Sequence, residues 1–174
     1  ELTVAPEVYH KARRSGRPGA HHEHHQGPPL HHLKGWAPGG PARESFQTLF
    51  RGLADDKPLL EWLRDCIWPG ATELDAEAAH AAATLGMIEN LRGGATSIVD
   101  HQYIHGAPAI DDAVCRAAAE VGVRLVLASG WADRNYHPPL TESADTVIDR
   151  IRPVQATWHG AMDGRISVGL APLI

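Results

Sequence analysis

Ala95-Thr-Ser-Ile-Val99, ended by Asp100-His101, and Val123-Arg-Leu-Val-Leu-Ala128 are two short apolar runs, partly β-branched. Between them Asp111-Asp112 opens a stretch with Val114, Ala117, Ala118 and Val121 at helical spacing, closed by Gly122. Strand, helix, strand in that order decides the fold. A crossover of this length joins parallel strands, and joins them right-handed. The runs lack strict in/out alternation, which suits strands covered on both faces. Downstream, a helix from about Glu142 to His159 leads into a third run, Ile166-Ser-Val-Gly-Leu-Ala171. Upstream, Pro58 to Trp68 repeats Leu59, Leu60, Leu63, Cys66 and Ile67 at three- and four-residue spacings, which predicts an amphipathic helix stopped by Pro69-Gly70. A longer helix follows Thr72, with Ala78, Ala82, Leu85, Ile88 and Leu91 on its packed face and Gly93-Gly94 as terminator. The class is α/β. Two architectures fit, a doubly wound open sheet or a piece of a (β/α)8 barrel. No G-x-G-x-x-G or G-x-x-x-x-G-K-[ST] follows any run, so the nucleotide-binding versions lack their signature.

Before about residue 43 the character changes. Of twelve histidines, six lie between positions 21 and 32: His21, His22, His24, His25, His31 and His32. Around them stand Gly16-Arg17-Pro18-Gly19, Gly27-Pro28-Pro29 and Pro38-Gly39-Gly40-Pro41. Glycine costs backbone entropy in regular elements and proline removes a donor, so 1–42 reads as an irregular arm and 43–174 as the globular part. Net charge is −5, which argues against a nucleic-acid partner. No run of about 18 apolar residues exists to span a membrane. Cys66 and Cys115 both read as core positions, and two cysteines make no disulfide framework; a reducing cytoplasm is the expectation. A full barrel needs ~250 residues, so the halt at Ala171-Pro-Leu-Ile174 directly after a strand reads as a truncation.

In parallel α/β folds reactive groups gather at the carboxyl ends of strands. Those ends offer Asp100, His101, Tyr103 and His105 after the first run, and Ser129, Trp131, Asp133 and His137 after the second. Asp100-His101 stand nearest the strand end, while His105 reads as a capping or solvent residue. His22-Glu23-His24 is a His-x-His pair whose imidazoles, on an extended strand, project to one face and can hold one ion. Its Gly/Pro-rich flanks favour loose surface metal binding instead. Glu142, Asp145, Asp149 and Arg150 read as a solvated helix face, and His80 and His159 as surface or packing residues.

Several segments together resemble the amidohydrolase superfamily, in the branch of the cytosine, guanine and 8-oxoguanine deaminases and the triazine hydrolases. They are Phe46-Gln-Thr-Leu-Phe-Arg-Gly-Leu53, Leu59-Leu-Glu-Trp-Leu63, Ile67-Trp-Pro69, Glu89-Asn-Leu-Arg-Gly-Gly-Ala-Thr-Ser-Ile-Val-Asp-His101, Gly122-Val-Arg-Leu-Val-Leu-Ala128 and Ile166-Ser-Val-Gly-Leu-Ala-Pro172. The resemblance implies the first half of a (β/α)8 barrel and one divalent metal, Zn or Fe. It implies hydrolysis of cyclic C–N bonds in a small nitrogen heterocycle: a purine, pyrimidine or triazine. Gln47 and His101 would line the substrate pocket. In the family a His-x-His pair at the end of the first strand precedes Gln-Thr-Leu. Here Gln47-Thr-Leu49 follows Ala42-Arg43-Glu44-Ser45, and His22-x-His24 stands well upstream as the remaining candidate metal pair. A misjoined reading of the first strand, or an inserted arm, would account for that. The other ligands and the catalytic residues are expected beyond Ile174, so the isolated chain is expected to be inactive. Competing readings are a non-enzymatic His-rich metal-binding protein and a degenerate barrel fragment. A homo-oligomer is compatible with each.

Overall fold

The three runs align side by side as parallel strands. The computed structural model describes residues 3–4, 42–54 and 56–173, so the His-rich stretch, His22 and His24 included, lies outside the described residues. Five strands, β1 (Thr3–Val4), β2 (Ala42–Arg43), β3 (Ser97–Gln102), β4 (Arg124–Trp131) and β5 (Ile166–Pro172), form one sheet in the order β1-β5-β4-β3-β2. Every pairing is parallel, with Val99 opposite Val126 and Leu127 opposite Val168. β3 and β4 run on through polar residues that the apolar pattern leaves out, because each ladder supplies partners as far as Gln102 and Ser129.

Coverage on both faces is not what the strands show. Burial alternates along β3, and Ile98, Leu125, Leu127, Ile166 and Val168 point to one side. There they pack against Met87, Val114, Ala118 and Ile151 from the helices. Val99, His101, Val126 and Ser167, on the other side, remain half-buried. A doubly wound sheet places helices on both faces, whereas a barrel keeps them outside. Among the described residues the core of the sheet sits on one face, the barrel arrangement.

A 3-10 turn, Ser45–Phe50, follows β2, and then comes helix α1 over 59–72. Pro69 does not stop α1. Leu63–Ile67 is a π turn in which the Trp68 amide reaches back to Leu63 O, and an α segment, Trp68–Thr72, restarts with Pro69 in its first turn. A first-turn proline has no helical N–H to lose. The wide turn also changes the facing of the helix: Ile67 and Ala71 are buried, while Leu59 and Leu60 are 66% and 60% exposed, contrary to the sequence pattern.

Helix α2 (Ala76–Arg92) starts where Asp75 Oδ1 accepts the Ala78 amide at 2.8 Å. Its packed face is also not the expected one. Ala79, Ala82, Ala83, Gly86, Met87 and Asn90 are buried, and Leu85, Ile88 and Leu91 face outward. Small side chains let a neighbour come close: a Cβ on Gly86 would sit 3.2 Å from Thr48 Oγ1. Helix α3 (Ile110–Val121) ends at Gly122, whose φ of +82° needs a glycine. Helix α4 (Ala144–Trp158) is capped by Ser143, which accepts the Thr146 amide.

Candidate active site

Two neighbouring groups of polar side chains collect at the carboxyl ends of the strands. The first is built on β2 and β3. Register pairs Arg43 with Asp100, and the Ser45 amide donates to Asp100 Oδ1 at 3.1 Å, tying the two strand ends together. Gln47, on the 3-10 turn, donates from Nε2 to Glu44 Oε2 and lies 3.3 Å from the Tyr103 hydroxyl. Tyr103 meets Phe46 edge-on at 5.3 Å between ring centroids and Tyr136 at 6.4 Å; Tyr136 in turn meets Trp68, which stacks on His137. An aromatic wall therefore backs Glu44 and Gln47.

His101 lies across the tips of β4 and β5. Its Nε2 is 3.2 Å from Ala171 O, and its ring is 5.3 Å from that of Tyr103. The space is made by Gly130, where a Cβ would stand 2.6 Å from His101 Nε2 and 3.0 Å from Ala171 O. A carbonyl oxygen only accepts, so Nε2 carries the hydrogen and Nδ1 the lone pair. Burial lowers the His101 pKa and keeps the ring neutral. Glu44 is pushed the other way. Burial first, and then the charge of Asp100, raise its carboxyl to about 7 against the opposing hydrogen bonds of Tyr103 and Gln47. Burial also raises the Tyr103 hydroxyl, which stays protonated.

The second group is a buried ion cluster that sequence reading missed. His105 is no solvent residue. Its side chain is 1% exposed and its Nε2 lies 3.1 Å from Asp111 Oδ1, itself 2% exposed; its Nδ1 lies 3.3 Å from Glu142 Oε2. Arg150, placed by the sequence on a solvated face, pairs with Asp111 and makes two 3.0 Å bonds to Glu142, which is no more solvated than Arg150. Ser129 Oγ donates to Asp111 Oδ2 at 2.9 Å and accepts from Arg150 at 3.0 Å. Burial alone would discharge His105, but Asp111 and Glu142 outweigh it and hold its pKa above the ordinary value. Asp111 and Glu142 are held below theirs by His105 and Arg150, against burial. The cluster locks the loops after β3 and β4 to the starts of α3 and α4.

Other assignments resolve simply. Gln47 and His101 both stand at the strand ends, each beside Tyr103. Cys115 is buried, whereas Cys66 is only half-buried. His80 pairs with Glu120 at 3.0 Å on the surface, and His159 accepts the Val168 amide at 3.1 Å. Sequence reading passed over Glu44, which lies two residues past Ala42 and just before the 3-10 turn.

Among the described residues no group of three or more His, Cys, Asp or Glu is placed to share an ion. At the strand ends Asp100 Oδ1 accepts from the Ser45 amide and Glu44 from Gln47, while His101 keeps a lone pair on Nδ1 but is grouped with no two further ligands among the described residues. These residues do not fit a metal.

Comparison with known proteins agrees with this geometry. The model of the amidohydrolase family matches residues 45–173. The 5'-deoxyadenosine deaminase of Methanothermobacter thermautotrophicus is 39% identical over 125 residues, covering 72% of this chain and 27% of that protein. Among solved structures, E. coli guanine deaminase superposes with a TM-score of 0.56 at 26% identity, over 64% of this chain and 25% of that one. Atrazine chlorohydrolase from Arthrobacter aurescens TC1, complexed with zinc, gives a TM-score of 0.67 at 17% identity, over 76% and 33% of the two chains. The chain spans about a quarter of the length of the curated relatives it matches.

Proposed function

The chain belongs to the amidohydrolase family, and from that premise we propose that it supplies the amino-terminal strands of a hydrolytic deaminase acting on an amino-substituted nitrogen heterocycle. The observation that carries this is the convergence of Glu44, Gln47, His101 and Tyr103 at the carboxyl ends of parallel strands, inside the matched segment but for Glu44, which adjoins it. An amide, a phenol and a carboxyl beside an aromatic wall can hydrogen-bond the edge of a flat heterocycle and stack on its face. Relatives named as deaminases of 5'-deoxyadenosine, 5-methylthioadenosine/S-adenosylhomocysteine and guanine favour a purine over a pyrimidine or triazine.

Gln47 and Tyr103 orient the ring in this reading, and His101 neighbours the reacting carbon. A divalent zinc or iron in the whole protein would draw its ligands from outside the described residues. No helix among the described residues is long and apolar enough to cross a membrane, and a cytoplasmic enzyme is the working assumption. The 174 residues alone should be inactive, since among the described residues one face of the sheet lacks the cover a closed barrel provides. The test is ammonia release by the full-length protein from 5'-deoxyadenosine, guanine and cytosine, with chloride release from atrazine alongside. Ammonia from a purine supports the reading. Chloride without ammonia moves it to dechlorination, and release from no compound refutes it.

A further inference from the structure

We propose that His105 is a positioning residue: as an imidazolium spanning Asp111 and Glu142 it latches the loop after β4, and through that loop the aromatic wall, and loss of its proton in alkaline solution frees them. The effect on substrate rests on the deaminase reading above; the latch itself does not.

The loop, residues 132–143, leaves β4 and enters α4 through a narrow neck. Ala132 pairs with Thr141, and the Glu142 amide donates to Ala132 O at 3.0 Å. At the tip Tyr136 and His137 meet Trp68 of α1, edge-on at 5.3 Å and stacked at 5.2 Å between centroids, and Tyr136 also meets Tyr103. Leu140 seats the loop in the apolar cluster that holds Ile104 and Ile110. Glu142 is the ionic anchor of the neck, bound by Arg150 through both oxygens and faced by His105.

Hydrogen-bond chemistry fixes the charge of His105. Its Nε2 lies 3.1 Å from Asp111 Oδ1 and its Nδ1 3.3 Å from Glu142 Oε2. Ionised carboxylates only accept, so a ring that serves both carries a hydrogen on each nitrogen, and such a ring is an imidazolium. Charge counting agrees. Asp111 and Glu142 bring two negative charges and Arg150 one positive, so the cluster is neutral only when His105 is protonated. An uncompensated charge buried there would be costly. Among the described residues, the charged and titratable groups that bear on His105 are Asp111 from α3, Glu142 from the loop end, Arg150 from α4 and His101 from β3. Together they hold its pKa above the ordinary histidine value.

Once the proton passes to solvent, the ring has one hydrogen and one carboxylate loses its donor. Asp111 is the closer partner, so the remaining hydrogen stays on Nε2. Nδ1 then turns a lone pair toward the Glu142 oxygen, and repulsion works against the neck. Leu140 keeps the loop seated, so it shifts without unfolding and Trp68 loses its fixed stack. A purine that stacks on this wall finds it in place only part of the time, and apparent affinity falls by that fraction.

The test uses the full-length protein with labelled histidine and fluorinated tryptophan, Trp68 being assigned through Trp68→Phe. Nitrogen NMR should show both ring nitrogens of His105 protonated at pH 7, with one transition on the alkaline side. The Trp68 resonance is read in a His137→Phe background, which keeps a stacked ring but removes its titration. It should move with the same midpoint. KM for whichever of 5'-deoxyadenosine and guanine is turned over should rise ~10-fold through that midpoint, with kcat changed far less. In His105→Gln the Trp68 resonance should stay at its alkaline position, and KM should stay high, at every pH. Glu142→Gln, at the less buried end of the cluster, covers the case in which His105→Gln does not fold and should shift both in the same direction. A His105 ring with a single hydrogen at pH 7 overturns the latch. So does a Trp68 transition that survives in either variant, which assigns it to another group such as Glu44. Resonances as expected beside a KM flat in pH overturn the positioning role. Resonances as expected in a protein that releases no ammonia from any amine uphold the latch and refute the deaminase reading alone.

Discussion

Replacing Asp111 with asparagine keeps the shape of the buried cluster and removes one charge from its centre. Asp111 is 2% exposed and faces His105, Ser129 and Arg150 at once. Without the carboxylate, Arg150 keeps only Glu142 as a counter-charge, and the proton on His105 loses its closer partner. Removing one member of a buried ion pair costs ~3–5 kcal/mol, because the remaining charge is left uncompensated. For a domain of this size that corresponds to a fall in Tm of roughly 6–20 °C. Thermal and urea unfolding, followed by circular dichroism at pH 7, would measure it. Adding Arg150→Met to Asp111→Asn should return part of the loss, since the second change removes the stranded cation. A single variant within 1 kcal/mol of the wild type would show that Asp111 is not ionised in the fold, and the reasoning would fail.

Gly130→Ala should cost ~1–3 kcal/mol by overpacking and push His101 off Ala171 O, seen as a shifted His101 ring resonance; an unmoved ring speaks against the contact. Stability should depend on pH through two raised groups. His105, raised from 6.5, contributes fully below that value and loses its contribution as pH climbs through its folded pKa. Glu44, raised from 4.5 to about 7, binds its proton more tightly when folded, so stability declines across that window, and Glu44→Gln should flatten the slope. Finally, His22→Ala with His24→Ala should weaken Zn²⁺ binding by the full chain in calorimetry while leaving its circular dichroism unchanged. Unaltered binding would dismiss that pair as the ligand site.

The order of elements was legible because each apolar run lies within a β-α-β unit, where neighbours in sequence are neighbours in space. The places of Asp100 and His101 near the end of β3 were legible for the same local reason, whereas Gln47 was singled out by resemblance alone. The faces of α1 and α2 were not. In α2 the alanines and Gly86 recur at the same spacing as the larger residues, and close packing chose the small stripe. In α1 the π turn shifts the phase partway along, which a fixed period cannot follow. The ion cluster was hidden by separation: Asp111 and Arg150 are 39 residues apart, and each alone has the look of a solvated charge. Only the sheet brings them together.

Each strand after β2 pairs with the one preceding it in the chain, β3 on β2, β4 on β3 and β5 on β4. The order of synthesis therefore gives each of these strands a partner that has already been made. A chain leaving the ribosome amino end first can dock every new strand on one already made, each docking closing a single connection. Pauses in translation between units would leave compact intermediates instead of tangled ones. Thr3 and Val4 are the exception: their partner is β5, so they wait until the other described strands have been made.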